Sequence, residues 1–154
     1  MQNQVTNKIQ TLMAFDYGKK RIGLAVGQRL LQSANGIGYV NATDGKPNWD
    51  QLDAFVKEWQ PDGFVVGLPL NMDGTPSDMS KRANKFCNRL HGRYGKPSFT
   101  IDERLSTFAA KEEARSQGHK GHYKSDPVDA LAAQFILETW LNEYPLENTP
   151  SDQE

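Results

Sequence analysis

The sequence predicts an α/β fold in three layers, a mixed sheet of five strands with helices on both of its faces. Three observations lead there. Two uninterrupted apolar runs, Leu12-Met13-Ala14-Phe15 and GFVVGLPL (63–70), read as strands buried on both sides. Segments of helical period separate the later strands, which therefore pair in parallel through right-handed crossovers. The first part of the chain instead carries three closely spaced strand patterns, the mark of an antiparallel meander.

In chain order, the first strand ends at Asp16, and Tyr17-Gly18-Lys19-Lys20 is turn-like. Ile22, Leu24 and Val26 alternate with small residues as a second strand, and Gly36–Val40 gives a weaker third. Trp49, Leu52, Phe55, Val56 and Trp59 fall at helical spacing, stopped by Pro61. After the strand GFVVGLPL, Thr75 offers an N-cap, with Pro76 first in the helix and Asp78 three residues beyond the cap. Met79, Ala83, Phe86, Cys87 and Leu90 form that helix's apolar stripe. Residues 98–102 make a short strand, and 106–117 a helix ended by Gly118. Val128, Leu131, Ala132, Phe135 and Ile136 define the last helix. The order is β-β-β-α-β-α-β-α-α, a single domain over residues 10–144, with residues 1–9 and 145–154 as flexible ends.

The composition narrows the class. With 154 residues, 37% hydrophobic and 24% charged, the chain is ordinary for a globular domain, which excludes collagen-like and wholly disordered readings. No apolar run is long enough for a membrane span, and the first residues lack the apolar segment of a signal peptide. A single cysteine, Cys87, on a helical apolar stripe reads as core, and a reducing, cytoplasmic setting is expected. The net charge of −1 hides an asymmetry: residues 143–154 carry four acids and no base, while residues 81–96 carry six bases and no acid. Such a patch suits a polyanionic partner or is simply a solvated helix face.

Acidic residues stand where strands and helices end. Asp16 closes the first strand, Asp102 and Glu103 the last, and Asp126 and Asp129 open the final helix, three apart on one face. A carboxylate at the end of a buried run is costly unless paired, hydrogen-bonded or bound to metal. Ligands in open α/β sheets gather beyond the carboxyl ends of the parallel strands. Each acid also has a structural reading: Asp126 as an N-cap, Asp129 as a dipole partner, Asp102-Glu103-Arg104 as a local ion pair, Asp16 as a turn residue. Their convergence on one sheet edge favours a cation site, for Mg²⁺ or Mn²⁺ shared with substrate phosphates. Lys19, Lys20 and Arg21, together with Lys81, Lys85 and Arg89 four residues apart, would then hold a nucleic-acid backbone. Three histidines without metal-ligand spacing argue against zinc, and the glycines match neither a dinucleotide nor a Walker loop.

Four segments, FDYGKKRIGLAVG (15–27), VGLPLNMDG (66–74), DERLST (102–107) and VDALAA (128–133), together resemble the YqgF/RuvX family over nearly the whole chain. The resemblance implies an RNase H-like fold shared with RuvC-type resolvases, and a nuclease role in processing the 5′ end of 16S ribosomal RNA precursor. It implies that Asp16, Glu103 or its neighbour Asp102, and Asp129 are the catalytic, metal-holding acids, with Asp126 as an additional ligand. Unlike the resolvases, the strand GFVVGLPL bears no acid, and the acid after Thr100-Ile101 substitutes. The glycine-rich, basic segment 118–125 is expected to close over RNA, with Lys120 and Lys124 meeting phosphates. Structured precursor rRNA, alone or on a ribosomal particle, is the expected partner of a monomer or homodimer. The alternatives are a resolvase cutting DNA junctions and a non-catalytic RNA-binding module of ribosome assembly.

Overall fold

The computed structural model describes residues 5–105 and 127–146, with only the backbone of Leu105, Pro127, Val128 and Asp129. Thr11–Asp16 (β1) is central because it is apolar on both sides: Leu12 through Phe15 are all fully buried. It pairs antiparallel with Arg21–Gln28 (β2), which pairs antiparallel with Ser33–Thr43 (β3). On its other side β1 pairs in parallel with Gly63–Leu68 (β5), and β5 with Ser98–Asp102 (β6). A two-residue strand, Lys46–Pro47 (β4), adds to the edge of β3, giving the order β4-β3-β2-β1-β5-β6.

The sheet therefore has six strands, not five. The additional pair is folded back by Asp44 (φ 50°) and Gly45 (φ 83°), the left-handed turn that an Asp-Gly dipeptide favours. The third strand also runs beyond the expected 36–40, and a bulge opposite Leu24 and Ala25 resets its register.

Strand parity divides the core. Met13, Phe15, Phe64 and Val66 meet Leu52, Phe86, Cys87 and Leu90 on one face, under Trp49–Trp59 (α1) and Asp78–Tyr94 (α2). Leu12, Ala14, Ala25, Val65, Phe99 and Ile101 meet Ala133, Ile136, Leu137, Trp140 and Leu141 of Pro127–Glu143 (α3) on the other. The buried stripe of α3 thus differs from the expected one: Leu131, Ala132 and Phe135 are only half-buried. The helix is apolar on most sides, so periodicity alone could not choose its inward face.

The cap of α2 is Ser77, not Thr75. Ser77 accepts from Ser80 N at 3.0 Å and Ser80 Oγ accepts from Ser77 N at 2.7 Å, a reciprocal box. The Thr75 hydroxyl is engaged in the preceding loop, donating to Asp73 at 2.7 Å. The expected helix over 106–117 lies outside the described residues.

One buried charge was not foreseen. Arg29, 2% exposed, donates to the carbonyls of Thr6, Ile9, Tyr144 and Pro145 at 2.7–3.0 Å and lies 5.7 Å from the Trp140 ring. It fastens residues 6–9 and 144–145 to the end of β2, and Ile9 is itself buried. Among the described residues no helix is long and apolar enough to cross a membrane.

Candidate active site

Asp16 is the last residue of β1, and alternation points it toward the same face as Leu12 and Ala14, the face that α3 covers. Its partner on β2 is Gly23, whose partner on β3 is Tyr39. On the other side Phe15 pairs with Val66, so Gly67 is the next residue of β5 and lies beside Asp16 on the same face. The half-buried Asp16 thus has a glycine on each neighbouring strand, and the gap these leave in the rows of side chains is a narrow trough beside it. Gly67 is required there: a β-carbon would stand 2.7 Å from Ile136 Cδ1 and 3.3 Å from Glu103 Oε2.

That second contact places Glu103. Phe99 and Ile101 face α3, so the chain leaving β6 brings Glu103 back to that face, with Oε2 buried above Gly67. Asp102 faces the other way. Arg104 grips it, donating from Nε at 3.1 and 3.0 Å and from Nη2 at 2.6 Å, while Arg104 N donates at 2.9 Å. These bonds hold the Asp102 carboxyl below the usual carboxylate range. Arg104 Nη1 also donates to Met72 O at 2.9 Å, so the pair fastens the loop after β5 to the end of β6. Of the two neighbouring acids, the register brings Glu103 beside Asp16 and turns Asp102 away.

The backbone of Asp129 lies in the first turn of α3, four and seven residues before Ala133 and Ile136, both of which meet the sheet. Ile136 is the side chain over Gly67, and the backbone of Ala130 abuts Gly36 of β3. Asp126, Lys120 and Lys124 lie outside the described residues. Among the described residues no group of three or more metal-ligating side chains is present. Asp16 and Glu103, which flank Gly67, both carry oxygen donors, the kind a hard divalent cation accepts.

The basic residues divide between the two faces. Arg21 lies on the carboxylate side, its guanidinium 5.3 Å from the Tyr39 ring centre. Lys19 lies on the α2 side, sharing a basin with Asp78, Lys81 and Arg82, and Lys20 is exposed in the turn between. Lys85 and Arg89 line a second basin on the α2 side. Most of the bases thus lie on the face opposite Asp16 and Glu103, a separation that spacing along the chain does not reveal. Cys87 is core: buried, with Sγ 3.6 Å from Phe99 O and its thiol pushed up to about 11 by burial.

The family model described as RuvX, Holliday junction resolvase, matches residues 10–143. A protein of Saccharophagus degradans is 55% identical over 136 residues, spanning 88% of this chain and 96% of its own. One of Chromohalobacter salexigens is 59% identical over 130 residues, 84% of this chain and 88% of its own. Both bear the name "Putative pre-16S rRNA nuclease". Among solved structures, the fowlpox virus Holliday junction resolvase superposes with a TM-score of 0.52 at 14% identity, over 86% of this chain and 99% of its own. At that identity the likeness speaks for the RNase H-like fold alone.

Proposed function

Since this chain belongs to the RuvX family, we propose that it is a metal-dependent nuclease that hydrolyses phosphodiester bonds in the 5′ region of 16S rRNA precursor. The observation that carries the reading is the register of the sheet edge. Asp16 and Glu103, 87 positions apart in the sequence, flank one glycine notch under the helix that begins beside Asp129. The names of the relatives point to precursor rRNA rather than a DNA junction.

In this reading Asp16, Glu103 and Asp129 hold Mg²⁺ or Mn²⁺, with Asp126 as a further ligand. The bound cations supply water activation and stabilisation of the leaving oxygen. Asp16 and Glu103 present fixed oxygens, because strand register and the absence of side chains at Gly23 and Gly67 leave them facing one trough. Ile136, itself buried, packs over Gly67 on the inner side. Arg21, held over Tyr39, and Lys19, Lys20, Lys81, Lys85 and Arg89 neutralise backbone phosphates on either side of the edge, and Lys120 and Lys124 add to them. Asp102 keeps the β6 end in place through Arg104. The single buried thiol accords with work in the cytoplasm.

The test is cleavage of purified precursor 16S rRNA and of a synthetic four-way DNA junction, each with magnesium or with chelator, by wild type and Asp16→Asn. Magnesium-dependent cutting of RNA, lost in the variant, is the expected result. Cutting of the junction alone would transfer the assignment to DNA. Equal cutting by Asp16→Asn would remove the metal-carboxylate mechanism, and no cutting by wild type would leave the chain a binding module.

A further inference from the structure

The α2 face carries a basin on the side of the sheet opposite the carboxylates. Its wall is the Asp44–Gly45 turn, which is fixed from below. Tyr17 Oη donates to Gly45 O at 2.7 Å, and Arg82 Nη1 donates to Asp44 O and Oδ1, both at 3.2 Å. Any side chain on residue 45 would collide with Tyr17 Oη, so the turn lies flat on the tyrosine. Between this wall and α2 is a space of about 200 Å³, floored by Tyr17 and Phe86 and lined by Lys46, Lys85 and Arg89. Arg82 also lines a second basin, of about 320 Å³, together with Lys19 and Lys81.

The charge there is one-sided. Asp44 is taken up by Arg82, while Lys46, Lys85 and Arg89 have no acidic partner among the described residues. Exposed like charges held this close repel one another, which a bound anion relieves. Lys81, Lys85 and Arg89 stand in single file along α2, each separated by four residues, and the raised turn walls one side of the row. Neighbours at that spacing lie about 5–6 Å apart at Cβ, comparable with successive phosphates of one extended strand. A duplex presents two phosphate rows and needs a broad, open surface, whereas this row is narrow. The basin also leads to the Tyr17–Lys20 turn, beyond which lie Arg21 and Asp16 on the other face.

We propose that this basin binds the sugar-phosphate backbone of a single-stranded nucleic-acid segment flanking the cut, which passes over the Tyr17–Lys20 turn from the carboxylate face to the α2 face. Lys46, Lys85 and Arg89 meet its phosphates, and Tyr17 with Arg82 positions the wall. The path rests on the nuclease reading; the affinity of the basin does not.

The experiment has two arms. In chelator, so that nothing is cut, fluorescence anisotropy follows a labelled oligouridine of about 12 nucleotides across a range of KCl concentrations. Lys85→Ala/Arg89→Ala should weaken binding about tenfold and lower the log-log salt slope by about 1.4, two contacts at about 0.7 each. Lys46→Ala, on a different element, should lower it by about 0.7, and Lys57→Ala, on the exposed side of α1, should leave it unchanged. Unchanged slopes in both basin variants, or equal affinity for an RNA duplex of the same length, would overturn the proposal. With magnesium, wild type should cut a substrate with a single-stranded flank faster than one without, and the double variant should lose that preference. A preference that survives in the double variant would overturn the path. Absence of cutting by wild type would count against the nuclease reading alone, since the first arm still decides the basin.

Discussion

Glu103 Oε2 stands 3.3 Å from where a β-carbon of residue 67 would be, and Ile136 Cδ1 2.7 Å from the same point. The notch between the two strand-end acids is therefore filled up to its limit by a glycine. In Gly67→Ala the Ile136 methyl, the end of a flexible side chain, must rotate away, at a cost of about 1–2 kcal/mol. The Glu103 carboxylate must also give by a few tenths of an ångström. The expected outcome is a lowered melting temperature with a fall in cleavage rate of at least about tenfold. Adding Ile136→Val should recover stability but not rate; recovery of both would mean that residue 67 matters only for packing.

Asp102 and Glu103 are neighbours with opposite duties. Glu103→Gln should lower the cleavage rate by at least about 10², with little change in the urea midpoint. Asp102→Asn loosens the Arg104 clamp on Met72 O and should cost less in rate, at most about tenfold, a modest supporting effect. Initial rates at saturating magnesium separate the two, and a reversed ranking would exchange the roles.

Which of these acids faces the trough could not be read from the sequence, because parity is fixed only once Phe64 pairs with Ser98 and Leu68 with Asp102. β1 and β5 were legible for the opposite reason: buried on both faces, they appear as unbroken apolar runs whatever their register. The Asp44–Gly45 hairpin carried a turn signal in its dipeptide, but its second strand is only two residues long and shows no pattern of its own. Thr75 and Ser77 are equally good caps in isolation. The loop bonds of Asp73 and Asn71 to Thr75 decide between them. The basic spacing on α2 was visible, whereas its separation from the carboxylates depends on Asp16 and Tyr17 leaving β1 toward opposite faces.

Asp53 of α1 joins α2 by accepting from Arg93 Nε and Nη2 at 3.0 and 2.7 Å and from the Tyr94 hydroxyl. These bonds hold its carboxyl below the ordinary carboxylate range. A lowered folded-state value contributes stability above the unfolded value of about 3.9, which is lost as pH falls through the folded value. Wild type should therefore exceed Asp53→Asn in urea midpoint at neutral pH, with the difference closing below about pH 4. A difference that persists at pH about 2 would show that the bonds act through geometry rather than charge.

Cys87, buried and with a thiol pushed up to about 11, should resist thiol reagents at pH about 8 in the native protein and react at once in denaturant. The rate of labelling in native buffer then measures opening of the α2 side of the core. Fast native labelling would contradict the packing of α2 described above.

The four carbonyls gathered on Arg29 bring Thr6 and Pro145 onto opposite edges of a single guanidinium. A short peptide bridging these two positions would thus close the polypeptide into a ring without moving the sheet. New termini could then be opened inside the Asp44–Gly45 turn. Such a rearranged protein would keep its strand-end acids in register while losing the wall of the α2 basin, so that cutting and strand capture could be measured one without the other.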